Sequence, residues 1–487
     1  MRPIDFGKWL PDQPSIQGPH LRDAKNVAPT AKAYGPWKAL AATTNALDAR
    51  CLGFASAKDA QGDAHMYAGD STKLYALGGT AWASVGGGAY GPQVTSTRWR
   101  FAVYGDRMLA TNAIDAPQYI DMSIGAVFAN LPGSPGNASL IGVFNNFVFL
   151  APTANAKAVK WSGLGDSEGW TAGVNQSDEQ ELADGGRVTG FVATQGAFFV
   201  FKESCIYRFI YVGGDVIFQI DKVVDGIGCI ENGSLISYGT LMLFRDESGW
   251  FIWDGASQPK SIGAETFDVW FQDEEDASLR YAMSGAIDPR RKIATWAFAS
   301  NDAGDTVPDT VLIYNYAVDK ASYVKPTGGV EVIGGGVSLG TGLDDMVDFV
   351  MDDETDIAMD DPSWFGGNVY FGAFTPDHEL GAFSGDNLEA TLTIGTGDME
   401  GGRMRIEWLE PIVEGDSAGA WTAAGGYAVK AGDAITYVSA VTQQTSGRCP
   451  QRGVNGRLLA AKYIGPAGAS WTAAIGHRFK INPAGAR

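Results

Sequence analysis

The sequence predicts an all-β fold: a six- or seven-bladed β-propeller with an N-terminal extended arm and a C-terminal β-sandwich. Three observations predict it. The chain carries 64 glycines beside 14 Trp, 17 Tyr and 24 Phe. Aromatic residues favour strands, and glycine recurs where strands reverse or backbones approach closely. The apolar runs are short and bounded by Gly, Asp, Asn or Pro, as half-buried strands are. Those runs also recur in groups of four.

Residues 1–45 precede the repeat. They are polar and Pro-containing, with Leu21, Val27, Tyr34 and Trp37 as separated anchors. This reads as an extended arm lying on a neighbouring copy or on the propeller rim, with those four side chains as assembly contacts. The propeller is expected over 46–385. Its first unit has LGFAS from Leu52, then HMYAG, KLYAL and TAWASV. The fourth unit is the clearest: VTGFVA from Val188, AFFVFK from Ala197, CIYRFIYV from Cys205 and DVIFQI from Asp215. Units begin near Leu52, Trp99, Leu140, Val188, Ser234, Tyr281 and Gly329, a spacing of about 45 residues that suits a four-stranded blade. A blade cannot bury both faces alone, so blades stack around an axis. A β-sandwich of similar length would show the strand spacing without the grouping in fours. From about Asp386 the period is lost, and NLEATLTI, MRIEWLEPIV, ITYVSAV, GRLLAAKYI and HRFKI read as strands of a smaller β-sandwich over 386–487.

The formal net charge is −20 and the sequence pI about 4.6. Such a surface repels nucleic acid at long range and does not seek an anionic membrane. That argues against DNA reading, though not against a surface past which DNA slides; solubility is the plainer account. Cys51, Cys205, Cys229 and Cys449 lie far apart without CxxC spacing, so buried, reduced thiols are expected rather than a zinc site or disulfide framework. The N-terminus MRPIDF lacks the apolar run of a signal peptide, and no stretch approaches the ~18 apolar residues of a membrane span.

No assembled catalytic site is legible, and the chain is expected not to be an enzyme and to carry no cofactor or metal. There are four histidines (His20, His65, His378 and His477) and no GxSxG. The glycines of GGGVSLG at Gly334 lack the βαβ context of a dinucleotide site. Some propellers hydrolyse glycosides with paired carboxylates. The candidates for that chemistry are Asp246 and Glu247 beside Trp250 and Trp253, and Asp166 and Glu168 beside Trp161 and Trp170. Both clusters fall at strand-to-strand turns, where acidic residues and glycine belong anyway.

The strongest anomaly is electrostatic. Between Lys325 and Arg403 there is no Lys or Arg, and the stretch contains Asp344, Asp345, Asp348, Asp352, Asp353, Glu354, Asp356, Asp360 and Asp361. Three readings compete: a solvated acidic loop, a Ca²⁺ site, and a negative surface facing a polyanion. The order of an EF-hand loop is absent. In a channel, such carboxylates would repel phosphates and keep moving DNA from sticking.

Three stretches carry a resemblance: LRDAKNVAPTAKAYGPW from Leu21 to Trp37; DGIGCIENGSLISYGTLMLFRDESGWFIWDG from Asp225 to Gly255; and, in the C-terminal part, DHELGAFSGDNLEATL from Asp377, CPQR from Cys449 and PAGASWTAAIGHRF from Pro466. The chain resembles the propeller-bearing nozzle or DNA-stabilisation proteins of bacteriophage tails. The resemblance implies a virion tail protein made in the host bacterial cytoplasm. It implies a homo-oligomeric ring of six copies in contact with portal, adaptor and tail fibre proteins, which extends the channel, helps retain the genome and passes double-stranded DNA without reading its sequence. A carbohydrate-binding or glycan-degrading tail propeller is the alternative.

Overall fold

The computed structural model describes residues 3–14, 20–88, 90–91, 96–125, 127–214, 216–304, 306–338, 369–398, 402–416, 420–430 and 433–484. The protein is all-β, with six separate four-stranded antiparallel sheets arranged as propeller blades. The first sheet comprises Gly53–Lys58, Ala64–Gly69, Leu74–Gly78 and Ala81–Ser84; the second, Arg100–Tyr104, Arg107–Thr111, Gln118–Asp121 and Ala129–Asn130. The third and fourth run from Ala138–Phe144 to Asp178–Glu181 and from Val188–Ala193 to Phe218–Asp225. The fifth runs from Ile236–Tyr238 to Lys260–Ser261. The last sheet joins Ile333–Val337, Val369–Phe374 and Glu379–Ala382 to Ala41–Ala46 from the other end of the chain.

Between the fifth and last sheets lies a further antiparallel meander, Ser284–Asp288, Ile293–Phe298, Thr310–Asn315 and Lys320–Val324. It does not end there. Lys25 of Leu21–Lys25 pairs in parallel with Tyr323, and that strand pairs in turn with Ala390–Asp398, so one ten-stranded sheet runs on into the C-terminal region.

Strand alternation explains how the sheets stack. Every residue of Phe198–Lys202 is buried, because successive side chains point to opposite faces and both faces are covered. Phe198 and Val200 enter the core shared with the third sheet, where Phe198 stacks on Phe149 at 4.2 Å between ring centroids. Phe199 and Phe201 enter the core shared with the fifth, meeting Trp253 at 5.0 Å and Phe244 at 5.1 Å. The first strands of the sheets converge on the axis, where space is scarce. A Cβ on Gly334 would lie 2.5 Å from the Phe54 ring, and one on Gly233 would lie 1.9 Å from the Met283 carbonyl oxygen. Gly334 thus serves close strand approach rather than a phosphate cradle.

In the C-terminal region, Ala390–Asp398, Leu458–Gly465 and Thr422–Ala428 share the ten-stranded sheet. Met404–Glu414 and Ala473–Pro483 form a second sheet with Val27–Pro29, Tyr34–Pro36 and shorter strands. Trp421, Leu409, Leu459 and Tyr463 belong to one core with residues of both sheets. The four cysteines are buried and unbonded. No helix among the described residues is long and apolar enough to cross a membrane.

The N-terminal segment packs within its own chain, on the meander, the C-terminal strands and the last sheet. Leu21, Val27, Tyr34 and Trp37 are buried inside their own chain, in the cores beneath the ten-stranded sheet and beside the last sheet. Side chains already withdrawn from solvent in one chain have no area left to offer a second copy, so they are not assembly contacts. Residues 41–46 likewise belong to a blade rather than to an arm.

His477 supplies a pH prediction. It is buried with Tyr463 Oη at 3.0 Å from Nδ1, and desolvation lowers its pKa to about 4. The unfolded chain binds the proton first, so stability is full above pH ~6.5 and falls as pH drops towards ~4. Asp268, which burial raises to about 6, opposes this by losing stability as pH rises across much of the same window. The test therefore compares variants. Relative to wild type, His477→Gln should gain about 2 to 3 kcal/mol between pH ~7.5 and ~4.5 in urea unfolding. A constant difference between the two proteins would refute the assignment.

Candidate functional site

Where the first strands converge, two adjoining cavities of about 260 and 220 Å³ share Arg98, Arg100 and Asn232 in their walls. The larger is walled by Gly53–Lys58, the segment 98–101, the turn at Asn232–Ser234, Ser284–Asp288 and Ile333–Val337. The smaller continues past Ser139 and Leu140 of the third sheet to Val188 and Thr189 of the fourth. Together they occupy the axis.

Local sequence accounts for the placement of the arginines. In Arg98-Trp99-Arg100-Phe101, Trp99 is buried in the core between the first two sheets and donates Nε1–H to the Asp70 carbonyl at 2.8 Å. Phe101 packs against that same core. Alternation then turns Arg98 and Arg100 away from it, towards the axis.

Among the described residues, the charged ones in these walls are Arg98, Arg100, Arg187 and Glu231. Arg98 and Arg100 thus set two cations side by side in a chain whose net charge is −20, while Arg187 at the edge is paired with carboxylates. Arg98 is 8% exposed, lies 5.5 Å from the Tyr281 ring centroid and donates to the Thr97 carbonyl at 2.8 Å. Burial, with repulsion from Arg50 and Arg100, pushes it down to about 10, so it remains charged at neutral pH. Burial also lowers Arg100, against the pull of Glu231. Glu231 accepts from the Asn232 amide at 3.2 Å and lies 3.7 Å from Arg187, which also pairs with Glu203 at 2.9 Å. Arg50 donates to Thr306 Oγ1 and carbonyl oxygen at 2.7 and 2.9 Å.

The carboxylate–tryptophan clusters take other roles. Asp246 accepts from the Gly228 and Ser248 amides, and Glu247 pairs with Arg280 at 3.3 Å. Asp166 accepts from the Glu168 amide, while Glu168 pairs with Arg107 at 2.8 Å. Trp161, Trp170, Trp250 and Trp253 are all buried, so none offers a face on which a sugar could stack. Among the histidines, His65 meets Asp59 at 3.0 Å, His378 meets the buried Glu331 at 2.6 Å, and His20 is buried. The acidic run Asp344, Asp345, Asp348, Asp352, Asp353, Glu354, Asp356, Asp360 and Asp361 lies outside the described residues. Among those described, no group of three or more His, Cys, Asp and Glu could hold a metal.

No protein-family model matches the chain, and no curated protein matches it. Solved structures do. BamB from Moraxella catarrhalis is 11% identical, with 73% of this chain and 92% of that chain covered at a TM-score of 0.36. The N-terminal domain of Nup159 is 11% identical, with 73% and 97% covered at 0.35. BBS1N, from its complex with ARL6DN, is 10% identical, with 71% and 96% covered at 0.41. Likeness at this level carries no argument about what the protein does.

Proposed function

We propose that this chain is a non-catalytic structural subunit of a bacteriophage tail, a nozzle-type ring component that extends the DNA channel, helps retain the packaged genome and lets it pass on ejection. The observation that supports this reading is the weave between the two parts of the molecule. The ten-stranded sheet continues from the Ser284–Val324 meander into the C-terminal strands without a break in hydrogen bonding, as suits a part that must hold its shape under load. The meander counts on this reading as a seventh blade, since its first strand packs between those of the fifth and last sheets. The C-terminal pair of sheets counts as a β-sandwich.

A ring of six copies needs a closing heterologous interface. With the N-terminal anchors buried, the candidates are exposed aliphatic side chains on one set of connections. Ile124 and Val127, Val174, and Val212 and Val216 are exposed, Ile124 to 86%. They lie between the third and fourth strands of the second, third and fourth sheets respectively, and in up-and-down blades these connections share one face. Electron microscopy of purified particles should show a six-fold ring on the virion axis. A triple variant, Ile124→Asp, Val174→Asp and Val216→Asp, should keep the wild-type circular dichroism and fail to enter it. A wild-type chain found as a monomer within particles would end the proposal.

A further inference from the structure

We propose that the axial cavity is a binding site for a polyvalent oxyanion of the phosphate type, held by Arg98 and Arg100 with Arg187 at its edge. The inference stands independently of the tail reading. Its basis is the convergence of like charges where the fold is narrowest. Arg98 and Arg100 both wall the two cavities, near enough to each other and to Arg50 to repel, and among the described wall residues Glu231 is the one carboxylate. In a chain with 36 Lys and Arg against 56 Asp and Glu, carboxylates outnumber the cations, so two neighbouring arginines run against the overall balance. A bound oxyanion would convert the repulsion between neighbouring guanidinium groups into a shared attraction, as planar forks that each present two parallel N–H groups do with phosphate oxygens. Hydroxyl and amide side chains from Ser139, Thr189 and Asn232 complete a polar wall on the side of the smaller cavity. The larger cavity, of about 260 Å³, leaves room for hydration.

Chloride and long nucleic acids fit less well. A monovalent sphere does not use the fork geometry, and a duplex cannot enter a cavity of this size. Glu231 sets the balance: it neutralises part of the field and competes with an incoming anion, so its removal should tighten binding.

The test titrates the full chain with sodium phosphate by calorimetry and thermal shift, at matched ionic strength in chloride. Saturable binding at one site per chain is expected. Arg98→Gln and Arg100→Gln should each weaken it about tenfold or more, Glu231→Gln should strengthen it about threefold, and the surface control Arg290→Gln should leave it unchanged. Should Arg98→Gln fail to fold, Arg100→Gln and Glu231→Gln carry the test, because their opposite signs are not mimicked by general destabilisation. The idea is overturned by no heat up to about 10 mM phosphate, by undiminished affinity in folded Arg100→Gln, or by binding of a single-stranded oligonucleotide without any binding of free phosphate.

Discussion

Glu275→Leu should destabilise the fold by about 4 kcal/mol, and more than Arg245→Leu, although the two residues form one ion pair. Both side chains are 2% exposed. Arg245 comes from the second strand of the fifth sheet, and Glu275 directly follows the helix Asp268–Glu274 that covers that sheet. The contact is not symmetric. Glu275 accepts from Arg245 through one oxygen and from Arg280 Nε at 3.1 Å through the other, and Arg280 also reaches Glu247. Loss of Arg245 leaves Glu275 with its second guanidinium, whereas loss of Glu275 strands a buried cation above the Phe271 ring, 4.6 Å from its centroid. A cation without its counter-ion in an apolar core carries a desolvation cost that the ring offsets only in part. Replacing both residues by Leu should therefore recover a good part of the Glu275→Leu loss. Urea unfolding of the three variants decides it. An Arg245→Leu variant weaker than Glu275→Leu would show that packing of the guanidinium, not its charge, governs this site.

The blades were legible in the sequence because their signal is local. Within AFFVFK each side chain has a covered face, so the whole run is apolar, and the polar turns on either side mark its ends. Grouping in fours followed from counting such runs. The strands that bind the ends of the molecule together were not legible. Ala41–Ala46 reads AATTNA, has no apolar face, and is mostly exposed. It is a strand only because the edge at Glu379–Ala382 lies beside it, and no pattern within the segment records a partner so far along the chain. Leu21–Lys25 has the same character: its register partners are Tyr323 and residues 391–394. Its anchors looked like surface contacts because their burial is tertiary. The axial arginines did leave a trace. Arg-Trp-Arg at the start of a repeat unit, in an acidic chain, put two cations on the face opposite a core tryptophan.

Removal of residues 1–46 should abolish the soluble fold altogether. The closing strand pairs Ala46 with Glu379, Ala42 with Gly381 and Ala41 with Ala382. Thr43 Oγ1 donates to the Leu380 carbonyl at 3.0 Å, and Leu380 N–H donates to Thr44 Oγ1 at 3.0 Å. The same segment grips the first sheet, since Asn45 accepts from Trp82 N–H at 2.8 Å and donates its own amide to Thr80. It therefore joins the last sheet to the first. Its loss opens an edge strand over Phe374 and Leu380, both buried in the core between those two sheets. It also strips Phe6, Trp9, Leu21, Val27, Tyr34 and Trp37 from other cores. At about 1.5 to 3 kcal/mol for each large apolar side chain, these losses match the whole net stability of a typical domain. An exposed strand edge then favours aggregation over a looser monomer. Expression of residues 47–487 should give insoluble protein. The reverse manipulation should stabilise. Cysteines at Ala41 and Ala382, opposite each other across the closure, would tie the ring shut, and the four native thiols are too buried to compete. Closing so long a loop should add about 5 kcal/mol under oxidising conditions and nothing under reductant. A soluble, cooperatively unfolding 47–487 fragment, together with an inert cross-link, would mean that the inter-sheet cores alone hold the ring closed.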